Sequence, residues 1–194
     1  LQCVVERRHG GETGVSAVTA LRGEEIWAAE KRGDWSRSLL KAALRTLDAS
    51  TEKLEERIKH PDTVFFLVEY RDGLKAMGAM FPSAIGPMPP KFSCQLAVAC
   101  RVRQQTEPFA CWMKTPGIPF PHFAELLQGI QHMIHTREPA YPVERTLLTT
   151  GILDRLMHSM HPRKGERLSS PELAIRYEAA NWRFANRKKT RGSG

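Results

Sequence analysis

Several things are missing from these 194 residues, and each absence removes a class of function. No apolar run approaches the roughly 20 residues that cross a bilayer, and the amino end lacks the charged-then-apolar order of a secretion signal. No Asn-X-Ser/Thr acceptor is present, and the four cysteines, Cys3, Cys94, Cys100 and Cys111, show neither metal-type pairing nor the density of a disulfide scaffold. Cys94 and Cys100 fall on one face of one expected strand, too far apart to bridge, so reduced, buried thiols and a cytoplasmic setting are expected. No Gly-X-Ser-X-Gly elbow occurs. The run Gly10-Gly-Glu-Thr-Gly14 leads into a strand, not out of one into a helix, so it lacks the geometry that seats a pyrophosphate. A dinucleotide is therefore not expected on this chain alone.

What is present is ordinary for a globular chain: 41% hydrophobic and 26% charged residues, enough to bury very roughly 70% of the unfolded surface. The net charge of +8 is concentrated at one end. Residues 181–194 hold five cations and no acid, leaving +3 for the rest. Residues 1–180 read as one domain and 181–194 as a basic, solvated tail, for which nucleic-acid binding is the lesser expectation.

Patterning divides the domain. Leu1 to Arg8 reads as the end of a helix closed by Gly10-Gly11. Val15 to Arg22 alternates as a strand. Glu24 to Leu47 is mostly helical, with Asp34 or Ser36 as cap, and Ser50 to His60 reads as a solvated loop or short helix. Thr63 to Tyr70 is apolar on both faces, as in a central strand, and Asp72-Gly73 suits a tight hairpin back through Leu74 to Phe81. After a proline-rich link, Phe92 to Val102 alternates over eleven residues as one long strand, and Phe109 to Lys114 pairs with it. Phe123, Leu126, Leu127, Ile130 and Ile134 recur at helical spacing up to Arg137. Pro139 and Pro142 then break the chain, and a second helix runs from about Pro142 to Met160 with two apolar stripes, both expected to be covered, and a close approach at Gly151. Leu173 to Tyr177 reads as a closing strand. The expected fold class is α+β: a mainly antiparallel sheet of about six strands, helices packed on one face, the other face partly open.

This order of segments, above all Glu138-Pro-Ala-Tyr-Pro-Val-Glu-Arg-Thr-Leu-Leu-Thr-Thr-Gly-Ile-Leu-Asp154 and the glycine-containing turn Arg163 to Arg167, resembles the C-terminal end of the glucose-fructose oxidoreductase and inositol dehydrogenase family (Gfo/Idh/MocA). Val4 to Gly14, Trp35 to Leu40 and Phe66 to Gly73 extend the resemblance over most of residues 3–178. It implies the substrate-binding and oligomerisation domain of an NAD(P)-dependent oxidoreductase acting on a sugar or polyol. The Rossmann half and the catalytic lysine and histidine would lie upstream in cis, and NAD(P) would be bound by the full-length enzyme. It implies a homo-oligomer formed through the open sheet face. Arg8, His9 and His122 flank segments that face the interdomain cleft in that family, so they are the candidate substrate contacts.

No catalytic or metal-binding residue is expected in this chain. His132/His135 and His158/His161 are spaced three apart without further ligands and read as helix-end residues. Cys111 reads as a core thiol, and the adjacent pairs Glu24-Glu25 and Glu55-Glu56 as surface charge. The competing class is a non-enzymatic dimeric interaction module whose basic tail, with Trp182 and Phe184, meets nucleic acid.

Overall fold

The computed structural model describes residues 1–47, 52–82, 92–161 and 165–181. Its centre is an antiparallel sheet of four strands. These are β1 (Val15–Leu21), β2 (Val64–Tyr70), β3 (Lys75–Met80) and the short β8 (Leu168–Ser169), in the order β3-β2-β1-β8. The β2–β3 hairpin turns at Gly73, whose φ of 87° supplies the left-handed conformation that the Asp-Gly pair promises.

Strand alternation sends β2 into two cores. Phe65 and Leu67 join Leu21 of β1 on one face, where α2 (Glu24–Lys31), α3 (Arg37–Arg45) and α4 (Leu54–Lys59) cover them with Ile26, Leu40, Leu44, Leu54 and Ile58. Trp35 completes this core, edge-on to Phe65 at 5.1 Å and donating through Nε1 to the Ile26 carbonyl at 2.8 Å. Ser36 is the cap of α3, its Oγ accepting from the Leu39 N–H. Asp34 instead pairs with Arg32 and Lys75.

On the opposite face Val18, Val68 and Tyr70 meet α1 (Gln2–Val5) and α6 (Val143–Met160), through Val5, Leu148 and Leu156. A register shift between Val15 and Ala17 moves Val15 to this side, away from Leu21. Each large side chain so buried contributes about 1.5 to 3 kcal/mol.

Helices thus lie on both faces of the sheet, which corrects the expectation of one helical face. The second face is closed over β1 and remains open toward β3, where Phe66 and Ala76 are half-buried, Met80 is exposed, and a Cβ added to Gly78 would meet nothing.

The single sheet of about six strands is also corrected. The expected strand 92–102 breaks at Gln95-Leu96 into β4 (Phe92–Cys94) and β5 (Ala97–Cys100). β5 forms a separate hairpin with β6 (Phe109–Trp112), packed by α3. β4 pairs with the two residues of β7 (Thr115–Pro116). Phe92 faces Pro116, which has no N–H to extend that ladder, and the register slips between Phe92 and Cys94.

Closure of the main sheet falls to Leu168–Ser169 rather than Leu173–Tyr177. Pro171 starts a 3-10 turn at 171–173, and only Tyr177 returns, as an isolated bridge to Glu12.

The helical pair matches the pattern closely: α5 is His122–Thr136, ended by Arg137 in the left-handed conformation, and α6 follows Pro142. Gly151 does mark a close approach, since a Cβ there would run into the Leu173 side chain. Of the two stripes on α6, Leu148 and Leu156 are buried and Ile152 half-buried, whereas Leu153 and Met157 are exposed and only Met160 at the end of the second stripe is half-buried, so that stripe has little of the cover expected for it.

Cys3 is exposed, and Cys100 and Cys111 are half-buried free thiols, so the expected burial holds for none of these three. Among the described residues no helix is long and apolar enough to cross a membrane. Residues 182–194, nearly the whole basic tail, lie outside the described residues, as does the turn at 162–164.

Candidate functional site

Three elements converge at the amino end of the fold. α1 turns Gln2, Val5 and Glu6 inward, leaving Cys3 at the rim. β2 ends in Val68 and Tyr70, two residues apart and therefore on one face. The first turns of α6 present Arg145, Thr149 and Ile152 at i, i+4 and i+7, again one face. Between them lies a cleft of about 480 Å³. Val68 and Ile152 give it an apolar floor, with exposed Leu1 at its edge, while Gln2, Tyr70, Tyr141, Arg145, Thr146 and Thr149 give it a polar lining.

Beneath the cleft runs a buried hydrogen-bond network. Gln2 Nε2 donates to Glu12 Oε2 at 2.5 Å and to the Tyr177 hydroxyl at 2.8 Å, and Tyr70 donates to Gln2 Oε1 at 3.0 Å. Tyr177 in turn donates to Glu6 Oε2 at 2.8 Å. Two carboxylates are buried here, and each has a cation: Arg145 Nε lies 3.2 Å from Glu6, and Arg8 Nη1 3.3 Å from Glu12. Such pairing is what makes a buried charge tolerable. Burial, reinforced by Glu12, pushes the Tyr70 phenol well above its ordinary value. Burial followed by the nearby Glu6 does the same to Tyr177. Both hydroxyls therefore keep their protons.

Arg145 is fixed from three sides. Besides Glu6, its Nη2 lies 2.8 Å from Cys3 Sγ, and its guanidinium sits 4.8 Å above the Tyr141 ring. Tyr141 and Thr146 line the cleft as exposed residues and make no side-chain hydrogen bond among the described residues, so their hydroxyls are uncommitted. The charged side chain of this lining, Arg145, is already paired with buried Glu6, so the lining suits hydrogen bonding to a neutral molecule better than capture of an anion.

The three candidates from the sequence are placed as follows. Arg8 belongs to the network beneath the cleft: Nε donates to Asp72 at 2.6 Å, and the two terminal nitrogens reach Val5 O, Glu12 and Thr13. Burial opposes its charge, but Glu12 and Asp72 together raise its pKa. Its ring of partners leaves it a bracing role. His9 is exposed at the turn that follows α1. His122 is half-buried at the start of α5, 4.7 Å from the Phe123 ring, with Nδ1 buried and unpartnered among the described residues. None of the three lines the cleft.

Arg145, Tyr141, Tyr70 and Gln2 do line it, and sequence reasoning passed over them. The available signal was Arg145 three residues beyond Pro142, a cation in the first turn of a helix, where the helix dipole disfavours it unless it has a partner. Among the described residues no cluster of three or more His, Cys, Asp or Glu is placed to hold a metal ion. No protein-family model, curated protein or solved structure matches this chain.

Proposed function

We propose that this chain is the substrate-binding and oligomerisation domain of an NAD(P)-dependent oxidoreductase acting on a sugar or polyol, with the cofactor carried by a nucleotide-binding half outside these residues. The observation that supports the reading is the cleft between α1, β2 and α6. Its floor is apolar and suits the C–H face of a sugar ring. Its lining offers Tyr141 and Thr146, whose hydroxyls make no hydrogen bond among the described residues, and its cation Arg145 is already paired with Glu6, as a neutral polyhydroxylated ligand requires. The cleft provides binding and orientation. Burial holds the Tyr70 phenol of the cleft protonated, so Tyr70 acts there as a hydrogen-bonding group and not as a base.

Saturation-transfer NMR with a panel of hexoses and cyclic polyols tests this. Signal transfer to at least one of them, lost in Tyr141→Phe with Thr146→Val, is expected. Absence of transfer from the whole panel would remove the substrate assignment. Titration with NADH gives the complementary check: saturable micromolar binding by these 194 residues would refute the division of labour.

A further inference from the structure

Helix α5 faces the wrong way for a monomer. Its sequence is amphipathic, with Phe123, Leu126, Leu127, Ile130, Met133 and Ile134 forming one stripe at i, i+3, i+4 spacing. Packing on its own domain would turn that stripe inward. Instead all six are 41 to 69% exposed, and the half-buried positions of the helix are His122, Gln128, Gly129 and His132. Helix α6 repeats the problem on its outer side, where Val143, Leu147, Leu153 and Met157 are exposed opposite the face that packs on β1. The two stripes are not buried against each other.

Several features on this surface identify what covers it. The stripes are comparable in length, about 17 Å on α5 and 21 Å on α6 at roughly 1.5 Å per residue. The ten residues of the two stripes together expose on the order of 1,000 Å², enough for the about 800 Å² per partner of a stable interface when both are covered. Helix α5 carries no lysine or arginine, which argues against a lipid surface as its resting place. Each stripe has the chemistry the other needs, and two copies supply both twice. A reciprocal contact closes on itself and leaves neither stripe in water.

We propose that α5 of one copy lies across the outer stripe of α6 of a second copy, and the reverse, forming a two-fold dimer. This gives a surface to the oligomerisation half of the function proposed above and rests on that reading only for self-association. It moves the contact from the sheet face, which α1 and α6 already cover over β1, to the helical pair.

Sedimentation of the whole chain at micromolar concentration is expected to give twice 21.9 kDa. Leu127→Glu with Ile134→Glu on α5, and Leu147→Glu with Leu153→Glu on α6, are each expected to weaken dimerisation at least about 30-fold. Mixing the two variants should recover heterodimers, because one of the two α5–α6 contacts is then intact. Met80→Glu at the open end of the sheet should leave the dimer unchanged. Circular dichroism checks each fold, and Leu127→Gln alone replaces the α5 variant, or Leu147→Gln alone the α6 variant, if it unfolds. A monomeric wild type, dissociation by Met80→Glu alone, indifference to the α6 changes, or no recovery on mixing would each overturn the proposal. So would a monomer whose α5 stripe is instead protected by an added nucleotide-binding domain. Polyol transfer signals are read separately, so loss of the dimer with ligand binding intact sinks this inference and leaves the cleft standing.

Discussion

Replacing Gly14 by alanine tests how the end of the chain is held against its beginning. Gly14 has φ of 86°, and a Cβ there would lie 2.7 Å from the Leu173 carbonyl oxygen, 2.8 Å from the Ile175 nitrogen and 2.9 Å from the Ala174 Cα. All three are backbone atoms, so no side-chain rotation relieves the overlap. The left-handed conformation costs alanine about 1 to 2 kcal/mol, and forcing a methyl into a filled space adds about 1 to 3, giving a loss of about 2 to 5 kcal/mol. For a chain of this size, at about 2 to 4 °C per kcal/mol, the melting temperature should fall by roughly 5 to 20 °C.

Gly33→Ala is the control. Its φ of 77° is as unfavourable, but nothing lies within 4 Å of the new Cβ, so only the conformational cost of about 1 to 2 kcal/mol applies. Urea unfolding of both variants, followed by tryptophan fluorescence, measures the difference. Equal losses would refute the close approach of residues 173–175 to Gly14.

Three further outcomes are expected. Ser159 is fully buried, its Oγ accepting from the Ala20 N–H at 2.9 Å and donating to the Glu166 carbonyl at 2.6 Å. Ser159→Ala should therefore cost about 1 to 3 kcal/mol by stranding the β1 amide, and urea midpoints unchanged from wild type would contradict that bond. Glu12→Gln turns an amide NH₂ or a single carbonyl toward Gln2 Nε2, the Gly14 N–H and Arg8. A loss of about 3 to 5 kcal/mol is expected in the same assay, and a loss typical of a surface pair, under about 1, would show the network to be dispensable.

The pH profile should fall on both sides. Arg167 holds the Glu69 carboxyl below its ordinary 4.5, and Arg37 does the same for Glu30. Their stabilisation is present above pH 4.5 and lost as pH falls below it. Tyr70 is held above its ordinary 10.0, so its contribution is present below pH 10 and fades as pH rises past that value. Arg167→Gln should flatten the acid limb and Tyr70→Phe the alkaline limb in thermal melts across pH. Unchanged limbs would reject those assignments.

Local signals in the sequence carried as far as local physics decides. Asp72-Gly73 fixed a hairpin because the three-residue turn 71–73 needs a positive φ at its last position, and Pro142 fixed the start of α6 because a proline at that point costs no helical hydrogen bond. Alternation in residues 92–102 misled because it reports two faces without saying whether one partner strand runs alongside. Here β4 and β5 find different partners, and Pro116 cuts one ladder short. The charged run 50–60 hid Leu54 and Ile58, two wholly buried residues one helical turn apart on α4, under the glutamates around them. The cleft was illegible for a related reason. Gln2, Tyr70 and Arg145 are distant in sequence and meet only through tertiary contact, and no local period announces an arginine stacked on a tyrosine four residues before it.

The hydrogen bond from Gln2 to Tyr177 joins positions 175 apart, and Tyr177 also bonds Glu6, 171 positions away. Until Tyr177 is in place, Glu6 and Glu12, the two buried acids that follow α1, have no finished shell around them. Closure of so long a loop waits on the segment that carries Tyr177, which makes this contact a late and slow one in folding. Until then the nascent chain exposes β1 along the edge that β8 will fill, a window in which pairing with a neighbouring chain competes with completion.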